Sequence, residues 1–502
     1  MTATQAAAPA DAPDRYRWIA MGVVLLGTFM VILDTTIVNV ALPQIGKELH
    51  ESSGIEWVVT AYLLAVGVAQ PPTGWLADKL GRKVVFIASL VLFTLGSLFA
   101  ALSPTLGVLI AARVVQGLGG GALMPVGMAM IYELFPPDRR GTALGIWGVA
   151  AMAGPAFGPV IGGYLATNVS WHWLFLINVP VGVVSVAAAV RLLRDTGYRE
   201  DRAFDAVGLS LITVALVTWL YAFARAGDWT WGSSLTLGLL AVGAVLAVLF
   251  VAWERRVEHP VIDVAMFGVP IFSYTMVVIA ATVVVQYGIL VYLPLLLEGV
   301  WGYSALRVGV MLVPMAAAAA ITFPLGGRIT DRIGPRVPVV VGSIFLAVSA
   351  WILSRLTLGS STTTIEVAIV AQGLGFGFAM MPNSVTGMNA LPKRFVAQAS
   401  AVRQLNVRTA ASFGVAVLGS ILATHLAGID PTSAADAADA QAAYGTIFSI
   451  AAGMGVLAAV LGCFLPSPTR NRELLAERAA EHRDDAGPDE EDAARADLVL
   501  EA

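Results

Sequence analysis

Asp34 and Arg113 are the two residues of this 502-residue chain whose types and positions could do chemistry together. Asp34 lies in an apolar run that opens near Trp18 and closes with Leu33-Asp-Thr-Thr-Ile-Val-Asn-Val-Ala-Leu-Pro43, where a helix should be crossing a bilayer. A carboxylate at the bilayer centre costs roughly 2.5–3.5 kcal/mol on insertion scales, so it is expected to face water or a partner and to exchange a proton. The alternative is an Asp satisfied within the core that only pins the bundle. Arg113 lies in Leu109-Ile-Ala-Ala-Arg113-Val-Val-Gln116-Gly117-Leu-Gly-Gly-Gly121. At 1.5 Å per residue, Asp34 sits roughly 24 Å above the inner end of its span and Arg113 roughly 10 Å below the outer end of its own. In an apolar core about 30 Å thick those levels coincide, and the two are expected to act in proton coupling. An Arg snorkelling to the outer interface is the competing reading. Asn39, Gln116, Gln286, Tyr287, Asn383 and Arg408 are further polar groups within spans and are candidates for a substrate path. Arg403 is near enough to an inner end to snorkel and is expected to be structural.

The elements that must hold these residues are membrane helices. The chain is 57% hydrophobic and only 13% charged, against about 25% charged in a soluble domain. With a mean hydropathy of +0.78 it reads as an all-α polytopic membrane protein. Its one cysteine, Cys463, excludes an internal disulfide and a cysteine metal cluster. Fourteen segments are long and apolar enough to span: 18–40, 56–77, 84–102, 106–132, 142–166, 173–193, 206–224, 235–253, 271–297, 305–327, 337–356, 365–391, 399–426 and 444–465. The first reads as an uncleaved signal anchor. Lys79, Arg82, Lys83, Arg139, Arg140, Arg191, Arg194, Arg255, Arg256, Arg332 and Arg336 fall in alternate loops, against Lys47, Arg225, Arg307 and Arg355 in the others. The positive-inside rule then places both termini in the cytoplasm of a multi-pass cell (inner) membrane protein. The organisation is expected to be a tail at 1–16, six helices in 17–196, a two-helix insert in 197–262, six helices in 263–466 and an acidic tail at 467–502.

A repeat links the two sets of six. Gly74-Trp-Leu-Ala-Asp78-Lys-Leu-Gly81-Arg82-Lys83 follows the second span, and Gly327-Arg-Ile-Thr-Asp331-Arg-Ile-Gly334-Pro-Arg336 follows the tenth. Topogenic charge alone would need the Lys and Arg but neither the Asp nor the two glycines, so the loop containing Gly74, Asp78, Gly81, Arg82 and Lys83, with Asp331 in its copy, is a candidate gate. The fifth span carries Gly154, Gly158 and Gly162 on one face, interleaved with Pro155 and Pro159. That pattern suits a hinge against a neighbouring helix better than static packing.

Enzymatic constellations come out empty. The five histidines have no metal-ligand spacing, and no Gly-x-x-x-x-Gly-Lys-Ser/Thr loop is present to bind ATP. His425 and Asp430 match an acyltransferase spacing but have no companion motif.

Taken together, these motifs resemble the major facilitator superfamily, and within it the fourteen-helix drug:proton antiporter family typified by EmrB and QacA. Gly74–Lys83 resembles its motif A, Arg113–Gly121 its motif B, Gly154–Gly163 its antiporter motif C, and Leu33–Pro43 its first-helix signature. Trp171-His-Trp-Leu-Phe-Leu-Ile-Asn178-Val-Pro180-Val-Gly182 is similar to another family stretch, with His172 where Arg is usual, and Leu293-Pro-Leu through Pro314 is also similar. The chain departs at Arg403, where a small polar residue is usual, and at Ala410, where Gly is usual. The resemblance implies a major facilitator fold of two six-helix halves plus two inserted helices. It also implies proton-driven export without a cofactor, Asp34 and Arg113 in coupling, Asp78 and Arg82 in gating, and the fifth span as hinge. The expected function is a proton-coupled multidrug antiporter working by alternating access. The expected partners are small-molecule substrates, protons and the bilayer, with no nucleic acid and a monomeric chain. With one carboxylate deep in a span, apolar or monocationic cargo is expected over dications. A lipid or secondary-metabolite exporter on the same scaffold is the alternative reading, and a membrane enzyme a remote one.

Overall fold

The computed structural model describes residues 14–49, 54–136, 139–194, 203–229, 231–392, 395–427, 429 and 436–467. Among them the regular structure is helical. The first group of helices runs α1 (Asp14–Glu48), α2 (Trp57–Ala69), α3 (Thr73–Leu80), α4 (Arg82–Ala101), α5 (Leu106–Leu134), α6 (Arg140–Asn168), α7 (His172–Leu176) and α8 (Asn178–Leu192). A pair follows, α9 (Ala206–Trp229) and α10 (Ser234–Glu254), then a 3-10 turn at Val264–Gly268. The second group runs α11 (Pro270–Gly299), α12 (Ala305–Ile333), α13 (Arg336–Ser354), α14 (Thr362–Asn389), α15 (Val396–His425) and α16 (Ala437–Gly462). Tails before Asp14 and after Ser467 lie outside the described residues.

Prolines explain where the helices depart from the predicted spans. Pro71 and Pro72 lack the N–H groups that would continue α2, so the span predicted at 56–77 becomes α2 and α3 with a bend at Gln70. Pro180 does the same to the sixth span: its ring crowds the carbonyl of Leu176, where α7 ends before α8 resumes. Twelve described helical segments are long and apolar enough to cross a membrane. The two predicted spans outside that set are α2, only 13 residues long, and α6, much of whose apolar stretch lies outside the described side chains. Large apolar residues such as Val184, Val248, Ile321 and Trp351 are exposed on the outside of the bundle, as expected where the surroundings are lipid.

The repeat found in the sequence is a repeat of backbone geometry. Gly81 (φ 89°) and Gly334 (φ 83°) both adopt the left-handed conformation that lets a new helix start almost at once. Gly81 N–H donates to Ala77 O at 3.1 Å and Gly334 N–H to Thr330 O at 2.9 Å. Helix packing then exchanges across the molecule. In the first copy α3 packs on the start of α15, with Gly74 against the Gln398 backbone; in the second, α12 packs along the start of α6.

The two groups of helices meet unevenly. One core joins Val24, Phe86 and Met130 to Phe323, Met380 and Val402, at the face that carries the basic loops. A separate core holds Ile37, Ile45, Val58, Leu109, Trp171 and Phe175, all from the first group and all toward the opposite face. The molecule is sealed at the basic face and divided at the far one. The helix pair α9–α10 lies along this seam, Tyr221 stacking on Trp57 of α2 at 6.0 Å and Phe223 meeting Phe413 of α15 at 5.4 Å.

Candidate functional site

Asp34 is fully buried at mid-length of α1. Thr35 and Thr36 turn their hydroxyls onto carbonyls of their own helix, to Ile32 at 2.7 Å and Leu33 at 2.9 Å, and Thr36 also donates to Gly154 O of α6 at 3.0 Å. The Asp34 side chain instead bonds across the bundle, and α5 and α8 supply its partners. Arg113 Nη1 of α5 donates to Asp34 Oδ2 at 2.6 Å. Gln116 Nε2, one turn further along α5, donates to Oδ1 at 2.8 Å, and Asn178 Nδ2 at the start of α8 donates to the same oxygen at 3.0 Å. Gln116 and Asn178 also donate to Ser97 Oγ of α4, at 2.6 and 3.1 Å. Arg113 is held from its other sides by Val58 O (3.0 Å), Gln116 Oε1 (2.7 Å) and the ring of Tyr62, whose centroid lies 3.9 Å from the guanidinium carbon.

Asp34, Arg113, Gln116, Asn178, Ser97 and Tyr62 are all buried. Removing two charges from water is expensive, and such a pair is tolerated only where further hydrogen bonds satisfy both ions. Here the carboxylate accepts three and the guanidinium donates three. Proton transfer to Asp34 would cancel one side of that balance and leave Arg113 held by a carbonyl, an amide and a ring. The set can therefore exist in two charge states with different packing demands.

The structure thus brings Asp34, Arg113 and Gln116 together. Asn178, Ser97 and Tyr62, none of them a candidate from the sequence, complete the site. A within-span Asn directly before Val-Pro is the signal that could have found it. Asn39, Pro155 and Pro159 lie in α1 and α6, and their side chains are outside the described residues.

Gln286 and Asn383 separate from this site. Gln286 of α11 accepts from Gln372 Nε2 of α14 at 2.9 Å and lies beside Met315, buried within the second group of helices. Asn383 donates to Thr275 O at 2.9 Å, also buried. Val-Val-Gln116-Gly117-Leu-Gly119 on α5 is matched by Val-Ala-Gln372-Gly373-Leu-Gly375 on α14. The Gln286–Gln372 contact therefore repeats the Asp34–Gln116 contact with neutral amides. Ile369 stands where the first copy has Arg113. At these repeat positions the second half carries neutral side chains where the first carries Asp34 and Arg113.

At the basic face, Asp78 and Arg82 are buried, Arg82 is ion-paired with Glu133 at the end of α5, and Lys83 donates to Val190 O at 3.1 Å. Asp331 lies on α12 and caps α6, accepting from Gly141 N at 3.1 Å and Thr142 N at 3.2 Å. Tyr132 and Arg140 of the first group both donate to Asn389 Oδ1 of α14, at 2.5 and 3.2 Å. Replacing Asp331 by Ala strips a carboxylate from two helix-terminal N–H groups and is expected to cost about 1–2 kcal/mol. The check is a drop of a few degrees in thermal midpoint that Asp331→Asn only partly reproduces; equal midpoints in wild type and Asp331→Ala would rule Asp331 out as a cap of α6.

His425 is exposed, bonded to the Ile421 carbonyl of its own turn at 2.8 Å, and Asp430 lies outside the described residues.

A helical bundle of two related halves, meeting at one face and split at the other, with a buried ion pair at mid-depth, is the architecture of a membrane carrier. The chain belongs to the major facilitator superfamily, whose model matches residues 24–415. It is a multi-pass membrane transporter with multidrug and antibiotic export proteins among its relatives. The tetracenomycin C resistance and export protein of Streptomyces glaucescens is 32% identical over 84% of this chain and 78% of its own. The multidrug export protein EmrB of Escherichia coli K12 is 32% identical over 78% and 77%. The multidrug resistance protein Stp of Mycobacterium tuberculosis H37Rv is 33% identical over 80% and 75%. Among solved structures, the proton:xylose symporter XylE aligns with a TM-score of 0.61 at 15% identity, over 92% of this chain and 100% of that one, and so shares the fold.

Proposed function

We propose that this chain is a proton-coupled antiporter that exports small organic molecules by alternating access, as a monomer and with no cofactor beyond the proton gradient. The observation that carries this reading is Asp34, fully buried, whose oxygens accept, among the described residues, from two neutral amides and one guanidinium. Fourteen crossings are supported by counting α2–α3 as one bent crossing and α6 as another beside the twelve apolar segments. The basic loops favour a cytoplasmic location for the sealed face and for both termini. The far cleft then opens outward. In this state Asp34 takes a proton from outside and its bond to Arg113 is lost. The glycine stripe of α6, packed on α1 at Ile32, Thr36 and Ile37, carries the change to the helix that also faces α12. Release of the proton to the cytoplasm restores the pair.

A second reading, export of a secondary metabolite, is favoured by the tetracenomycin C exporter among the relatives. It uses the same cycle.

The test is flux of an uncharged fluorescent dye from proteoliposomes under an imposed pH gradient, acid on the far side. Efflux that rises with the gradient and collapses with nigericin supports antiport. Flux indifferent to nigericin would sink it.

A further inference from the structure

A cavity of about 510 Å³ opens at the basic face, where the start of α1, the end of α5 and the start of α6 meet the end of α12. Trp18, Arg139 and Thr142 line it from the first group of helices, and Arg328, Asp331 and Arg332 from the second. Its acidic side chain is already engaged: besides the two N–H groups of α6, Asp331 accepts from the Thr142 hydroxyl at 3.3 Å. Arg139 reaches Asp14 at 3.2 Å, a carboxylate it shares with Arg17. Arg328 and Arg332 are exposed and, among the described residues, form no ion pair or hydrogen bond. They lie one helical turn apart, where like charges repel. Charge that only sets topology needs neither a cavity nor walls from both halves.

The loop repeat shows what sets this place apart. Arg328 and Arg332 stand where the first copy has Trp75 and Lys79. There Trp75 packs on Phe204, just before α9, at 4.7 Å, and Lys79 lies over the Trp75 ring. The first copy is covered by the chain itself, whereas the second opens into a cavity edged with cations.

The surroundings of the cavity select the kind of anion. Ile321, Leu325, Arg328 and Arg332 follow at i, i+4, i+7 and i+11 and share one face of α12. Ile321 is 67% and Leu325 41% exposed. Trp18 is also exposed, its ring edge-on to Phe135 at 5.1 Å, as suits an aromatic side chain at a membrane interface. A soluble phosphate would use the arginines and none of this apolar surface.

We propose that the cavity binds an anionic phospholipid of the leaflet at the basic face, its headgroup phosphate held by Arg328 and Arg332 with Arg139 opposite, and an acyl chain lying along Leu325 and Ile321. Guanidinium forks match phosphate oxygens two at a time, and a basic pocket between helices at the interface is suited to such a headgroup. The proposal needs neither a direction nor a driving ion for transport. Because the walls come from both groups of helices, parting α6 from α12 dismantles the site. The bound lipid therefore favours the sealed form of the basic face.

Native mass spectrometry of the purified full-length protein in neutral detergent micelles tests this, with dioleoyl phosphatidylglycerol and dioleoyl phosphatidylcholine offered in equal amounts. Wild type should retain phosphatidylglycerol about tenfold or more over phosphatidylcholine. Arg328→Gln combined with Arg332→Gln, both at exposed positions, should lower phosphatidylglycerol retention about tenfold or more, as expected for two arginines near an anionic lipid. Arg255→Gln combined with Arg256→Gln, exposed at the end of α10 and outside the cavity, should leave it unchanged. Equal retention of the two lipids by wild type, or wild-type retention in the Arg328 and Arg332 variant, would overturn the proposal. So would an equal loss in the Arg255 and Arg256 variant, which would make the preference a property of the whole basic face. Displacement of the lipid by glycerol 1-phosphate at matched concentration would make the ligand a soluble phosphate instead.

Discussion

Asp34→Asn is expected to lower pH-gradient-driven efflux by at least about a hundredfold while leaving equilibrium cargo binding measurable. Asn is close to Asp in shape, so Gln116 and Asn178 can still donate to the side-chain oxygen. The position facing Arg113 becomes an amide N–H, donor against donor, and the buried guanidinium loses the carboxylate it is paired with. Breaking one side of a buried ion pair costs about 3–5 kcal/mol because the other charge remains unpaired. Part of that is offset by Val58 O, Gln116 Oε1 and the Tyr62 ring, which stay on Arg113. The variant should fold with a lowered thermal midpoint and resemble the protonated carrier at every pH. Adding Arg113→Gln should recover much of the midpoint but none of the coupling, since pair energies within one network are not additive. Efflux in Asp34→Asn equal to wild type under the same gradient would make the pair structural.

The part of this site visible in the sequence was visible because helices have a fixed rise. Asp34 and Arg113 are 79 positions apart in the chain, yet counting 1.5 Å per residue from opposite membrane faces brings them to one level. Gln116 follows at one turn from Arg113, on the same face. Depth says nothing about direction around the bundle axis. Gln286 and Asn383 have suitable depths and point into the second half's own core, where amide pairs with Gln372 and Thr275 absorb them. Asn178 reaches Asp34 because Pro180 interrupts its span and starts α8 afresh at that residue; a sequence shows the proline but not which neighbour the new helix end will meet. The loop repeat is legible because glycine is needed at the positive φ of Gly81 and Gly334. Their swapped partners, α15 for one and α6 for the other, are a consequence of how the halves dock, and no local pattern encodes it. Glu133 and Asn389, which close the basic face with Arg82, Tyr132 and Arg140, lie at helix ends where a polar residue is unremarkable.

The glycine stripe of α6 leads to the other large expected effect. Gly154, Gly158 and Gly162 face α1 at Ile32, Thr36 and Ile37, one stretch of backbone that has Asp34 at its centre. A Cβ at Gly162 would lie 2.6 Å from the Ile37 carbonyl oxygen and a Cβ at Gly158 2.6 Å from Thr36 Cβ, and neither of these atoms can turn aside by a side-chain rotation. Gly158→Ala and Gly162→Ala should therefore each cost about 1–3 kcal/mol, as is typical of overpacking. Leu at either position must push α1 away from α6 and with it the carboxylate from Arg113, so Gly158→Leu and Gly162→Leu are expected to reduce gradient-driven efflux by at least about tenfold. The order is diagnostic. If the stripe is only a close-packing surface, loss of flux should track loss of thermal midpoint across the four variants. If α6 is the element that transmits protonation, the Ala variants should lose flux out of proportion to their midpoints, because the contact must re-form in each cycle rather than once on folding. Wild-type efflux in Gly158→Leu, with the protein folded, would free α1 from α6 and place the transmission of Asp34 protonation in α5 and α8 instead.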